Sequence, residues 1–395
     1  MNYLILTDRY FPTPVSGAIL MKDLVTQLQL EGHNITVLSA SSEIRDEYNF
    51  ESSNNINILR VKTENQKHLS YPKRLMFELF LQRKIWKIYQ LKQLTSPDYI
   101  IAQSPTIFWS FIIKKLKQKK DIPFYLILRD IFPKWVVDTG IISKFNPVYL
   151  FLKLHEKKLY KLADVIGVQS ESNLQYFSRK KTANRIEVLY NFKKLDSKVT
   201  RKNDLRSKLN LHEKVIFVFG GNLGFAQDPN NLLMLVNSLK SNKKAHFLFI
   251  GEGTEFENLL KERDSQQLDN LSLIPSVSDK EYQSILLDCD IGLISLRKDF
   301  QTDNFPNKLL NYLQYELPVL ASINPGNELI QLIGSCKNGL VSENGNDEDF
   351  IMNAKILLES RNLRKDMGKR GKDLLYNQFD VRSATMAIET SLNSL

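Results

Sequence analysis

The chain has 395 residues, of which 43% are apolar and 25% charged, a balance expected for a soluble globular protein of about two domains. Two cysteines, Cys289 and Cys336, exclude a disulfide scaffold and suit a reducing, cytoplasmic setting. The net charge of +10 is one-sided: residues 1–197 hold 30 Lys+Arg against 18 Asp+Glu (+12), residues 198–395 hold 24 against 26 (−2), so an anionic partner is expected for the N-terminal half.

In chain order, NYLILTD (2–8) and GHNITVLSA (32–40) predict strands, with a glycine turn, SGAIL (16–20), and a helical pattern between them. The start MNYLILTDRYF lacks a basic segment and meets Asp8 early, so no signal peptide is expected. No membrane span is expected either, since the best apolar stretch, 99–113, is short and broken by Gln103, Ser104 and Pro105. DYIIAQ (98–103), FYLILRD (124–130), DVIGVQS (164–170) and IEVLYN (186–191) predict further strands separated by helices. The second half restarts with KVIFVFGGNLG (214–224), AHFLFIGEG (245–253), LSLIPSV (271–277), DIGLISL (290–296) and LPVLAS (317–322). The polar, charged segment 195–214 reads as a linker. Repeated β–loop–α–β units predict two doubly wound α/β domains, with a cleft between the carboxyl ends of their sheets.

Three loops are candidate anion sites. In FGGNLGFAQDPNNLL (219–233), Gly221 and Gly224 allow close backbone approach to a phosphate before a helix, against the alternative of an ordinary βα turn. The Gly-Lys-Ser/Thr ending of a P-loop is absent. In DNFPNKLLNYLQ (303–314), Asn304 or Pro306 starts a helix with Lys308 in its first turn, an unfavourable place for a cation unless an anion binds there. A solvated lysine is the alternative. In RYFPTPVSGAILMKD (9–23), Gly17 precedes a helix, and in RDIFPKW (129–135) Arg129 and Asp130 end a strand toward the expected cleft or form a structural ion pair. Asp288 and Asp290 of DCD have the spacing of a cation-binding pair, but a helix end and a strand start explain both. His33, His68, His155, His212 and His246 show no ligand spacing.

The stretch 71–94 interleaves Phe77, Phe80, Trp86 and Tyr89 with Lys73, Arg74, Arg83, Lys84, Lys87 and Lys92, and 111–120 and 144–162 repeat the theme. This suits an anionic membrane surface, or equally an amphipathic core helix with a solvated basic face. Nucleic acid is the weaker rival, because no recognition motif for it is present.

Taken together, YFPTPVSGA (10–18), GHNITVLSA (32–40), ADVIGVQSESN (163–173), VLYN (188–191), GGNLGFAQ (220–227), GEG (251–253) and 276–295 resemble family 4 of the GT-B glycosyltransferases over nearly the full length. The family's glutamate pair is replaced by Asp303 and Asn311, and the Arg and Lys of its glycine loop by Asn222 and Gln227. In these departures the chain resembles a branch associated with deoxy-aminosugar transfer in bacterial O-antigen or capsule synthesis.

The resemblance implies a GT-B fold of two Rossmann-like domains, 1–194 facing acceptor and membrane and 195–375 holding the nucleotide-sugar, with a C-terminal helix, 376–395, crossing back. It implies retaining transfer of a sugar, N-acetyl-L-fucosamine from UDP as the first guess, to a polyprenyl-diphosphate-linked acceptor. Lys308 would stabilise the diphosphate and Asp130 would orient the acceptor. Gly221, Asn222, Gly224, Gln227, Glu252, Asp303, Asn304, Phe305 and Asn311 would line the donor side, and Tyr10, Gly17, Arg129 and Lys134 the acceptor side. No metal or other cofactor is expected, and a peripheral place on the inner face of the cytoplasmic membrane is. The alternatives are a UDP-sugar epimerase of the same fold and a non-catalytic binder of membranes or anionic polymers.

Overall fold

A computed structural model describes residues 1–13, 15–64, 71–138, 142–178, 185–195, 205–299 and 305–395. The chain forms two compact units, Met1–Lys194 with Val381–Leu395, and Leu195–Asp380.

The first unit is built on an eight-stranded sheet. Its strands are β1 (Asn2–Leu6), β2 (Asn34–Ser41), β3 (Tyr48–Ser53), β4 (Ile56–Lys62), β5 (Tyr99–Gln103), β6 (Phe124–Leu128), β7 (Val165–Val168) and β8 (Arg185–Val188), in the order β3-β4-β2-β1-β5-β6-β7-β8. All neighbours are parallel except β3 and β4. Alternation along each strand splits the core between the two faces. Tyr3 and Ile5 join Val37, Ile101 and Tyr125 on one side. Leu4 and Leu6 join Leu59, Ile100 and Phe124 on the other. The β3–β4 hairpin was not expected from the sequence. Its outer strand β3 is polar and largely exposed, and the hairpin's one turn signal is Asn54-Asn55, both in the left-handed conformation (φ 48° and 63°) that a two-residue hairpin turn demands.

The chain returns to this unit through the helix Val381–Asn393, while residues 376–380 stay with the second unit. Val381, Ala384, Ile388 and Leu392 enter the core beside Leu24 and Leu28 of the helix Ser16–Leu30. Glu389 accepts from the Tyr3 hydroxyl (3.0 Å) and meets His33 Nε2 (2.6 Å). Glu31, His33 and Glu389 are, among the described residues, the group whose ligating atoms lie close enough to hold a cation; they lie beside the amino ends of the strands, away from the loops described below. Because Ile388 is fully buried, Ile388→Ala is expected to destabilise the first unit by about 2–5 kcal/mol, read by denaturant unfolding.

The second unit carries six parallel strands, β9 (Val215–Gly220), β10 (Ala245–Ile250), β11 (Leu271–Ile274), β12 (Ile291–Ser295), β13 (Val319–Ile323) and β14 (Gly339–Glu343), ordered β11-β10-β9-β12-β13-β14. Phenylalanines on alternate positions stack across β9 and β10, Phe217 on Phe247 (4.8 Å) and Phe219 near Phe249 (5.9 Å). The end of the segment read as a linker is docked structure: Leu205–Lys208 is a helical turn with Leu205 buried. Asp288 accepts from the Leu205 amide (2.9 Å), and Asp290 holds Arg206 (2.6 Å) and the Ile216 amide (2.8 Å). Both carboxylates of the DCD motif therefore tie this segment to the sheet.

Candidate active site

In open α/β sheets, ligands gather where the strand order reverses, at the carboxyl ends. In the second unit that point lies between β9 and β12. After β9 comes Gly221 (φ +115°), then Asn222, Leu223, Gly224 and a single 3-10 turn, Phe225–Gln227. The α-helix that follows the loop starts at Pro229, after the 3-10 turn. Gly221 donates its N–H to Ile250 (2.9 Å) and Leu223 to Glu252 (2.9 Å). The amides of Asn222 and Gly224 have no partner among the described residues.

The loops after β9 and β10 touch closely. A Cβ on Gly251 (φ +153°) would lie 1.9 Å from the Gly221 carbonyl oxygen, and one on Gly253 2.3 Å from that of Leu223. No relaxation of a flexible side chain relieves a clash with backbone. Gly251→Ala should therefore cost on the order of 3 kcal/mol, seen as a lowered melting temperature, and should displace the Gly221–Gly224 loop.

Lys308 opens the helix Lys308–Gln314 and is half-buried. Its Nζ donates to Gln227 Oε1 (2.7 Å) and lies 3.4 Å from the centre of the Phe219 ring. No carboxylate pairs with it among the described residues. Desolvation therefore acts uncompensated and pushes the amine well below the ordinary lysine range. The helix is pinned by Tyr312, one turn on, whose fully buried hydroxyl donates to the carbonyls of Val218 and Leu293 (both 3.1 Å) and accepts from the Gly220 amide (3.3 Å). Gly292 makes room for that ring, since a Cβ there would sit 2.3 Å from it. Lys372 pairs with Glu316 (2.7 Å) and holds the far end of the helix.

Of the other donor-side residues named from sequence, Gln227 and Asn222 join Lys308 and the glycine loop; the Asn222 amide lies where Cβ atoms on Gly224 and Gly253 would be. Glu252 is exposed on the neighbouring loop, and Asn311 is half-buried one turn after Lys308. Phe305 is buried against Phe379 (5.3 Å). Asp303 and Asn304 lie outside the described residues. Sequence reasoning missed Tyr312 and Arg297. A glycine inside the DIGLIS strand was the signal for the first, because it marks close approach of another group. Arg297 follows β12, stacks on the Phe225 ring (3.7 Å) and donates its backbone N–H to the Ala226 carbonyl (3.2 Å).

In the first unit the order reverses between β1 and β5. Asp8, Gly17, Gln103, Ser104, Arg129 and Asp130 gather at the carboxyl ends there. A Cβ on Gly17 would lie 2.9 Å from an Arg129 guanidinium nitrogen, so the guanidinium passes close over the start of the first helix. Ser104 Oγ accepts from the Arg129 amide (2.8 Å), and Gln169, with its side-chain amide assigned to the orientation its neighbours favour, accepts from Arg129 Nε (3.3 Å) and donates to the Arg129 carbonyl (3.1 Å). Buried Gln103 accepts from Thr7 Oγ1 (2.9 Å) and donates to the Gly17 carbonyl (3.4 Å). Desolvation raises the Asp8 and Asp130 carboxyls and lowers the Arg129 guanidinium; attraction between them opposes both shifts. Tyr10 is buried in the core beside this group, and Lys134 lies 5.9 Å from the Tyr176 ring.

This geometry sets a desolvated cation and unused amides on one sheet, and the Arg129 guanidinium with the Asp8 and Asp130 carboxyls in its vicinity on the other. Residues 17–196 match the family Glycosyltransferase Family 4, and residues 201–374 match Glycosyl transferases group 1. A curated relative, the probable glycosyltransferase WbjE of Pseudomonas aeruginosa, is 25% identical over 245 residues, covering 60% of this chain and 58% of that protein. Among solved structures, a sucrose-phosphate synthase from Thermosynechococcus elongatus superposes with a TM-score of 0.76 at 13% identity, covering 100% of this chain and 98% of that one. Anabaena HepE in complex with UDP gives 0.69 at 14% identity, covering all of both chains. WaaG, a glycosyltransferase involved in lipopolysaccharide biosynthesis, gives 0.69 at 11%, covering 98% of each.

Proposed function

Because the chain is a glycosyltransferase of the GT-B type, carrying a family 4 domain followed by a group 1 domain, we propose that it moves a sugar from a nucleotide diphosphate to a polyprenyl-diphosphate-linked saccharide in bacterial surface polysaccharide synthesis. The observation that carries this reading is the Lys308 amine, desolvated, without a carboxylate, and seated beside the glycine loop at the switch point of the sheet. Such a cation is built for an anion that arrives from outside.

Transfer proceeds with retention. The bond from the anomeric carbon to the diphosphate oxygen breaks, and its electron pair goes to the diphosphate. The acceptor oxygen bonds to the same face of that carbon and gives its proton to the departing diphosphate. Lys308 and the Asn222 and Gly224 amides stabilise the negative charge as it develops, without reorganising to do so. Asp130, oriented beside Arg129, accepts a hydrogen bond from the acceptor sugar. Asn311 and Gln227 take neutral positions on the donor side. The donor is a UDP-linked deoxy-aminosugar, N-acetyl-L-fucosamine as first choice. Support for UDP comes from HepE, which was solved with UDP. Support for a surface polysaccharide comes from the resemblance in the Asp303, Asn311, Asn222 and Gln227 positions.

The test is a turnover assay. Purified chain is offered UDP-, GDP- and dTDP-sugars with a lipid-diphosphate-linked monosaccharide, and the product is read by mass spectrometry. A disaccharide lipid formed from a UDP-sugar is expected. Conversion of the UDP-sugar to a free isomer without an acceptor would instead identify an epimerase.

A further inference from the structure

On one face of the first unit's sheet the apolar run stops short of the amino ends. Leu6, Leu38 and Leu59 lie there in register and pack with Ile85 and Ile88 of the helix Tyr71–Leu91. Two residues nearer the amino ends, the same face reads Leu4, Thr36 and Asn57, also in register. The helix ends at Leu91, and the segment after it brings Thr95 and Pro97 alongside. The result is a cavity of about 340 Å³ over Leu4, within the ~300–1,000 Å³ of small-molecule sites.

Its floor is apolar and its walls are hydroxyls and carboxamides. Leu4 and Pro97 are buried, Thr36 and Asn57 half-buried, and Asn34 and Asn55 exposed at the rim. Ser52 donates to Asn57 Oδ1 (2.7 Å), which orients that carboxamide and leaves its nitrogen without a partner among the described residues. Asn34 donates to Asn2 Oδ1 (3.1 Å), and its own oxygen has no partner among the described residues. The same holds for the hydroxyls of Thr36 and Thr95. Unused donors and acceptors therefore converge on an apolar floor.

The lining carries no formal charge: among the described residues, no Lys, Arg, His, Asp or Glu contributes to it. A phosphate or carboxylate would be desolvated there with no counter-charge. A nucleobase would need a ring to stack on. Tyr3 borders the cavity, but its ring lies in the core of the opposite face, beside Tyr99 (5.3 Å) and His33 (5.1 Å). A sugar ring needs neither charge nor stacking. Its C–H face meets Leu4 and Pro97, and its hydroxyls both donate and accept, as the threonine hydroxyls and asparagine amides require.

We propose that this cavity binds one unit of a neutral glycan chain. It is a second saccharide site, at the amino ends of the strands, whereas Arg129 and Asp130 lie at the carboxyl ends. It uses neither Lys308 nor Asp130, and so does not depend on the transfer reading.

Maltotriose, mannotriose and chitotriose are titrated into the full chain and followed by saturation-transfer NMR. Saturable binding of at least one is expected. Thr36→Val with Asn57→Leu should weaken it at least ~10-fold at an unchanged melting temperature. If that pair does not fold, Asn55→Gly with Thr95→Val reads the same loss at exposed positions, since glycine keeps the left-handed turn at 55. Three results would overturn the proposal: no binding of any of the three, binding that a folded variant pair leaves unchanged, or displacement by trigalacturonate, uridine or UDP. UDP calorimetry on the same preparations separates the two readings. Saccharide binding without UDP binding removes the donor site alone, and UDP binding without saccharide binding removes this cavity alone.

Discussion

Lys308→Met is expected to lower transfer by roughly 10²–10³-fold while leaving the unliganded protein as stable as before, or more so. The two halves of this result have one cause. In the free protein the amine is desolvated and has only the Gln227 oxygen and the Phe219 ring as partners, so its charge contributes little to folding. With the diphosphate bound, the same desolvation strengthens the attraction between amine and phosphate. The pH dependence follows. The folded-state pKa lies below the unfolded value, so the unfolded chain binds more protons in that window, and stability rises with pH from the folded pKa to the unfolded one. Donor affinity runs the other way. It weakens as pH rises through the depressed pKa, because the anion requires the ammonium. Lys308→Met should flatten both profiles, measured by urea unfolding and by UDP calorimetry across pH.

Asp130→Asn is expected to cost transfer about 10²-fold or more with UDP affinity unchanged. The carboxyl is raised by desolvation and held down by Arg129, so the wild-type rate should climb as pH rises through the raised pKa. Arg129→Met removes that opposing attraction and should move the acidic limb to higher pH; a structural role alone would lower the rate at every pH without moving the limb. Steady-state rates at fixed UDP-sugar over pH 4–8 read both effects.

The two parallel sheets were legible because buried parallel strands are short, continuous apolar runs, as in YIIAQ and FYLIL. Glycine-rich ends on those runs, at Gly221 and Gly251, marked the donor loops. What escaped the sequence was long-range. Nothing local announces that Tyr312 bridges β9 and β12, or that the Leu223 amide is taken by Glu252, because each depends on a partner distant in the chain. The β3–β4 hairpin escaped for the opposite reason. Its outer strand, YNFESS, is polar, and only the Asn54-Asn55 turn distinguishes it from loop.

The central claim is that the Lys308 amine meets the donor's diphosphate. Its most direct test is isothermal calorimetry of UDP with wild-type protein and with folded Lys308→Met at neutral pH. The account predicts saturable binding to wild type, weakened at least ~100-fold in the variant at a melting temperature no lower than that of wild type. Equal UDP affinity in the two proteins would contradict it.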